Sequence, residues 1–144
     1  MSRVKYVEWG TIIGAAILFI YIAINSWFIV TAFETPSKEP DIVIEVRARQ
    51  FAWEFIYPDG SRSATLRVKA GQTVELRLVS EDVIHSFFIR DFGIKRDVVP
   101  GKVNRIVFTP REPGEYVIQC AEFCGSGHYS MIAKLVVEQG GVGV

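Results

Sequence analysis

The sequence predicts an all-β domain, a Greek-key sandwich or barrel, carried on one N-terminal transmembrane helix. Three observations predict it. A run without any charged residue extends from Trp9 to Phe33. Seven or eight short strand-like stretches follow, separated by Gly- and Pro-containing turns. No stretch after Phe33 has the periodicity of an amphipathic helix. The chain has 144 residues, enough for one small domain plus an appendage. Sixteen basic and sixteen acidic residues cancel, so no basic excess points to nucleic acid.

The organisation reads as four parts. Residues 1–34 hold the helix. About 20 apolar residues cross a bilayer, so the Trp9–Phe33 run spans with some tilt. Trp9 and Trp27 suit the two interfaces, and Gly10, Gly14, Asn25 and Ser26 suit contacts with neighbouring helices. The run is longer than a signal-peptide core and no small-x-small site follows it cleanly, so an uncleaved anchor is expected. Arg3 and Lys5 precede it, which keeps the N-terminus cytoplasmic and places the rest on the outer face. Residues 35–41, with Pro36 and Pro40, form a linker. Residues 42–138 form the β domain, and 139–144 a loose tail.

Within the domain the expected strands cover residues 42–48, 51–57, 65–69, 73–79, 86–89, 103–108, 114–119 and 131–137. The run Thr73-Val74-Glu75-Leu76-Arg77-Leu78-Val79 has the clearest period of two. Turns at Pro58-Asp59-Gly60 and Ala70-Gly71 punctuate the series. Sandwiches gather their loops at one end, where side chains from distant strands can meet.

One loop concentrates the chemistry. Cys120-Ala121-Glu122-Phe123-Cys124-Gly125-Ser126-Gly127-His128-Tyr129-Ser130-Met131 holds both cysteines, one of two histidines and the only internal methionine. Thiolate, thioether and imidazole are the soft and borderline donors that copper prefers. His85, the other histidine, can close such a site from another strand. A mononuclear blue-copper site would use His85, Cys124, His128 and Met131 and leave Cys120 over. Two thiolates four residues apart can instead bridge two metals, each with its own terminal imidazole. A Cys120–Cys124 disulfide would suit an oxidising compartment but leaves His128 and Met131 unused. A Cys2His2 zinc site has no use for Met131.

The pattern C-x-E-x-C-x3-H-x2-M after a distant histidine resembles subunit II of the haem–copper cytochrome c oxidases, at their electron-entry copper site. The resemblance covers about Val46 to Val137. It includes Arg49-Gln50-Phe51-Ala52-Trp53, Ser80-Glu81-Asp82-Val83-Ile84-His85-Ser86, Gly93-Ile94-Lys95-Arg96-Asp97-Val98-Val99-Pro100-Gly101 and Pro113-Gly114-Glu115-Tyr116. It implies a cupredoxin fold and a dinuclear copper centre, CuA. In that centre Cys120 and Cys124 bridge both coppers, His85 and Met131 serve one, and His128 with the Glu122 backbone carbonyl serves the other. The Glu122 side chain would bind magnesium at the boundary with subunit I. Electrons would pass from cytochrome c to haem in subunit I, where oxygen is reduced to water with proton pumping. The implied partners are subunit I, cytochrome c, the membrane and small additional subunits. One helix rather than the common two points to a prokaryotic inner membrane. For electron entry and docking, Phe51 and Trp53 are expected on one strand face, with acidic Asp82 or Glu81 beside them. The competing readings are a membrane-anchored copper chaperone, which would need βαβ units, a single-copper electron carrier, and the copper domain of a nitrous oxide reductase.

Overall fold

The computed structural model describes residues 2–34 and 39–140. Residues 35–38 of the expected linker and 141–144 of the expected tail lie outside the described residues. The N-terminal helix and the β domain are two separate compact units.

The helix, α1, runs Arg3–Glu34. At 1.5 Å per residue its 32 residues measure about 48 Å, longer than the ~30 Å hydrocarbon layer. It is long and apolar enough to cross a membrane over Arg3–Ala32. Thr11, Asn25 and Thr31 bond back to the helix's own backbone, which suits a low-dielectric setting. Thr11 Oγ1 donates to Val7 O at 2.8 Å and Asn25 Nδ2 to Tyr21 O at 2.7 Å.

The domain is the predicted all-β sandwich, built from two five-stranded sheets. Among the described residues ten strands follow in order: β1 Ile42–Arg49, β2 Ala52–Ile56, β3 Arg62–Ser63, β4 Thr65–Lys69, β5 Val74–Ser80, β6 His85–Ile89, β7 Ile94–Val98, β8 Asn104–Phe108, β9 Gly114–Cys120 and β10 Ile132–Glu138. One sheet has the order β3-β2-β1-β5-β8, the other β4-β10-β9-β6-β7. Most neighbours are antiparallel, but β1 pairs with β5 and β4 with β10 in parallel. The period-two pattern does what it should. In β1, Ile44, Val46 and Ala48 point inward; in β9 and β10, Ile118, Leu135 and Val137 do. Phe55, Phe87, Leu66, Leu76, Leu78 and Ile89 complete a continuous core.

Two strands exceed the expectation. The two-residue β3 is too short to leave a pattern. The other, β7, places Lys95, Arg96 and Asp97 consecutively in the open. It sits at a sheet edge, paired with β6 on one side, where charge discourages pairing with another chain. Among the described residues one carboxylate is buried. Glu75 on β5 exposes 2% of its side chain and is held by Arg105 at 2.5 Å and Arg77 at 2.8 Å.

Candidate metal centre

Strand pairing brings the donors together. Phe87 of β6 stands opposite Cys120 of β9, so both face the core. His85 lies two residues back along β6 and therefore shares that face. Beyond Cys120 the chain leaves the sheet and returns at Met131, whose carbonyl accepts from Cys120 N at 3.1 Å. Between them His128–Ser130 form one 3-10 turn, closed by Met131 N to His128 O at 3.2 Å. Gly125 has φ +136°, a conformation L side chains rarely adopt.

The donors converge around the two sulfurs. Cys120 Sγ and Cys124 Sγ are 3.8 Å apart, well beyond the ~2.05 Å of a disulfide, and both thiols are free. His85 Nδ1 lies 3.9 Å from Cys120 Sγ, and His128 Nδ1 3.6 Å from Cys124 Sγ. Glu122 O is 3.2 Å from Cys120 Sγ, and Met131 Sδ 3.8 Å from Cys124 Sγ. The ligating atoms of His85, Cys120 and Cys124 all lie within 4.8 Å of one another. Two thiolates on one tetrahedral ion at ~2.3 Å would stand about 3.8 Å apart, so the spacing suits a shared metal. Met131 and His85 are fully buried, the cysteines nearly so, and His128 half-buried. Burial, then the neighbouring Cys120, pushes the Cys124 thiol up to about 11. A metal arriving at neutral pH must therefore displace a proton.

The outer hydrogen bonds fix the tautomer of His85. Its Nε2 is 2.7 Å from Asp82 Oδ1. Burial would raise the Asp82 carboxyl, but bonds from His85, Gln50 N and Val83 N outweigh it and hold it below its ordinary range. An ionised carboxylate only accepts, so Nε2 carries the hydrogen and the Nδ1 lone pair faces the sulfurs.

The expected docking residues separate. Trp53 is a correction: it is 3% exposed, packed edge-on against His85 at 6.1 Å and Phe87 at 5.3 Å between ring centroids. The alternation of β2 sends Trp53 and Phe55 inward, so Trp53 presents no surface. Phe51 precedes β2 and is half-buried, its ring against the metal loop. A Cβ on Gly127 would sit 2.4 Å from that ring, and one on Gly125 3.0 Å from it. Asp82 and Glu81 are exposed, as is Glu122. Four residues the sequence reading passed over also matter here. Gln50 Nε2 donates to Cys124 O at 2.5 Å, and Gly127 makes room for Phe51. Phe123 and Tyr129, 75% and 82% exposed, flank His128 on the loop itself. Consecutive aromatic and donor residues in the loop were the one signal for the last two.

Comparison with known proteins places the chain among them. The family described as cytochrome c oxidase subunit II, periplasmic domain, matches residues 63–139. Cytochrome c oxidase subunit 2 of Thermostichus vulcanus is 40% identical over 105 residues, 72% of this chain and 32% of that one. The same subunit of Thermus thermophilus is 31% identical over 108 residues, 74% of this chain and 80% of its own. The chain thus spans about a third of the Thermostichus relative. The crystal structure of the periplasmic domain of subunit II of cytochrome oxidase from Bradyrhizobium japonicum superposes with a TM-score of 0.66 at 24% identity, covering 72% of this chain and 88% of that one. That likeness speaks for the fold, a cupredoxin sandwich.

Proposed function

The chain belongs to the cytochrome c oxidase subunit II family, and from that premise we propose that it is the electron-entry subunit of a haem–copper terminal oxidase. A dinuclear copper centre would accept electrons from cytochrome c and pass them to haem in subunit I, which reduces oxygen to water with proton pumping. One observation carries the reading. Two unbridged thiols 3.8 Å apart have an imidazole nitrogen beside each, 3.9 Å from Cys120 and 3.6 Å from Cys124.

The proposed ligand pairs fit that arrangement. His85 and Met131 would serve one copper, His128 and the Glu122 carbonyl the other, with both cysteines shared. Each pair supplies one donor beside Cys120 and one beside Cys124. When bound, the pair of coppers supplies one-electron redox chemistry. The chain's own part is to hold the donors still and to keep water off. Buried Met131 and His85 exclude solvent from one side, and strand ends hold Cys120 and His85 in register. A centre that moves little on reduction has a small barrier to electron transfer.

The helix anchors the domain in the membrane. Arg3 and Lys5 favour a cytoplasmic N-terminus in a prokaryotic inner membrane, with the domain on the periplasmic side. Subunit I would seat on the loop face that carries exposed Glu122, Phe123 and Tyr129, with magnesium on the Glu122 carboxylate, since a hard carboxylate suits that ion. Cytochrome c would dock near half-buried Phe51 and acidic Asp82.

The test is a metal count. The full chain in detergent, loaded with copper, should hold two coppers and give a mixed-valence paramagnetic spectrum. One copper supports a single-copper carrier, and copper that transfers readily to a partner protein supports a chaperone; either result overturns the proposal.

A further inference from the structure

The metal centre is assembled from two loops that no short stretch of sequence connects. One, Glu81–Ile84, leads into His85; the other carries Cys124 and His128. The second departs from the sheet after Cys120 and Ala121. Within it the hydrogen bonds are internal: His128 N to Gly125 O, Ser130 N to Gly127 O and Ser130 Oγ to Gly127 O. Among the described residues, one hydrogen bond reaches segment 122–130 from outside residues 120–131. It comes from the Gln50 side chain, whose Nε2 donates to Cys124 O at 2.5 Å.

The same residue holds the other loop. Gln50 N donates to Asp82 Oδ2 at 2.6 Å, and Asp82 Oδ1 takes His85 Nε2 at 2.7 Å. Gln50 thus lies on one unbroken line of hydrogen bonds from the His85 ring to the Cys124 backbone. Its turn, between β1 and β2, contributes no metal donor. Its neighbour Phe51 adds a steric stop, because its ring fills the space that side chains at 125 and 127 would need.

We propose that Gln50 is a positioning residue for the metal centre: its side-chain amide and backbone N–H tie the Cys124 loop to the Asp82–His85 pair and set the distance between the two halves before metal arrives. This rests on the copper reading above. Hydrogen bonds outside the ligand set typically govern 10–100-fold in metal affinity, so the effect should be measurable without any loss of fold.

The test uses the full chain in detergent and two variants. Gln50→Met keeps the length and loses the donor; Gln50→Glu keeps the shape and loses the donor. Copper release to an excess of a soluble chelator should be about tenfold faster in both than in the wild type. The copper–thiolate absorption and hyperfine splitting should shift. In the metal-free chain, backbone amides of segment 122–130 should exchange with deuterium faster, while those of β5 and β10 should not change. If the wild type fails to load two coppers, the functional reading falls and takes this one with it. If the wild type loads two and Gln50→Met matches it in release rate, spectrum and exchange, the positioning role alone is refuted. Recovery by Gln50→Met but not Gln50→Glu would reduce the residue to packing and refute it as well.

Discussion

Replacing Gly127 by Ala is expected to destabilise the domain through one contact. Gly127 has φ −92° and ψ 10°, which alanine adopts without strain, so the backbone contributes no penalty. The added methyl would lie 2.4 Å from Phe51 Cδ2 and 2.7 Å from both Cε2 and Cγ. Ordinary contact begins at 3.4 Å, so the ring or the loop must give by about 1 Å. Overpacking of that size costs about 1–3 kcal/mol. Because Phe51 is only half-buried and can swing toward solvent, the expected value is at the lower end, about 1–2 kcal/mol.

The assay is a double-mutant cycle by urea denaturation of the metal-free β domain, residues 39–140, whose core lies wholly within it. With Phe51→Ala in the background the methyl meets nothing in that direction. The cost of Gly127→Ala should vanish there, or turn into a gain of about 0.4–1 kcal/mol from the stiffer unfolded chain. A cost that is the same in both backgrounds would refute the claim that Phe51 and Gly127 are in contact. The same cycle read by copper release should show Gly127→Ala loosening the centre, since His128 follows directly.

Other expectations follow from the same geometry. Cys120→Ser should lower the copper count from two to one per chain by elemental analysis, and an unchanged count would remove the bridging role of that sulfur. Phe51→Ala with intact copper should slow cytochrome c oxidation by the assembled oxidase; an unchanged rate discards Phe51 as an entry point. Phe123→Ser with Tyr129→Ser should reduce recovery of subunit I on affinity-purified chain, while leaving copper content intact; full recovery would move the subunit I contact elsewhere. Glu75→Gln should cost about 1–3 kcal/mol at neutral pH. The Arg105 bond holds the Glu75 carboxyl below its usual range despite burial. Its contribution is therefore fully present above the unfolded value of about 4.3 and lost as pH falls through the lower folded value. The deficit of the variant should shrink with acidification, and a deficit independent of pH would deny the ion pair a role.

What the sequence discloses about this site is its donor set, and the reason is chemical. Cysteine, histidine and methionine are scarce in this chain, so their gathering in a dozen residues is visible without a fold. His85 is already less legible. Its place beside Cys120 depends on the register of β6 against β9, across a separation of 35 residues. The docking reading failed at Trp53 because alternation shows that Trp53 and Phe55 share a face but not which face is inward. Here packing against His85 and Phe87 decides it. Strand β7 was missed for a related reason: an edge strand protected by charge loses the pattern by which strands are recognised. Least visible are Gln50 and Gly127, which are ordinary residue types. Gln50 acquires its partner 74 positions away only when the β1–β2 turn closes over the loop. Ligand identity is thus a property of residue type and local spacing. The rigidity that lets a ligand set work as a redox centre is a property of topology, and its residues carry no mark until the strands are paired.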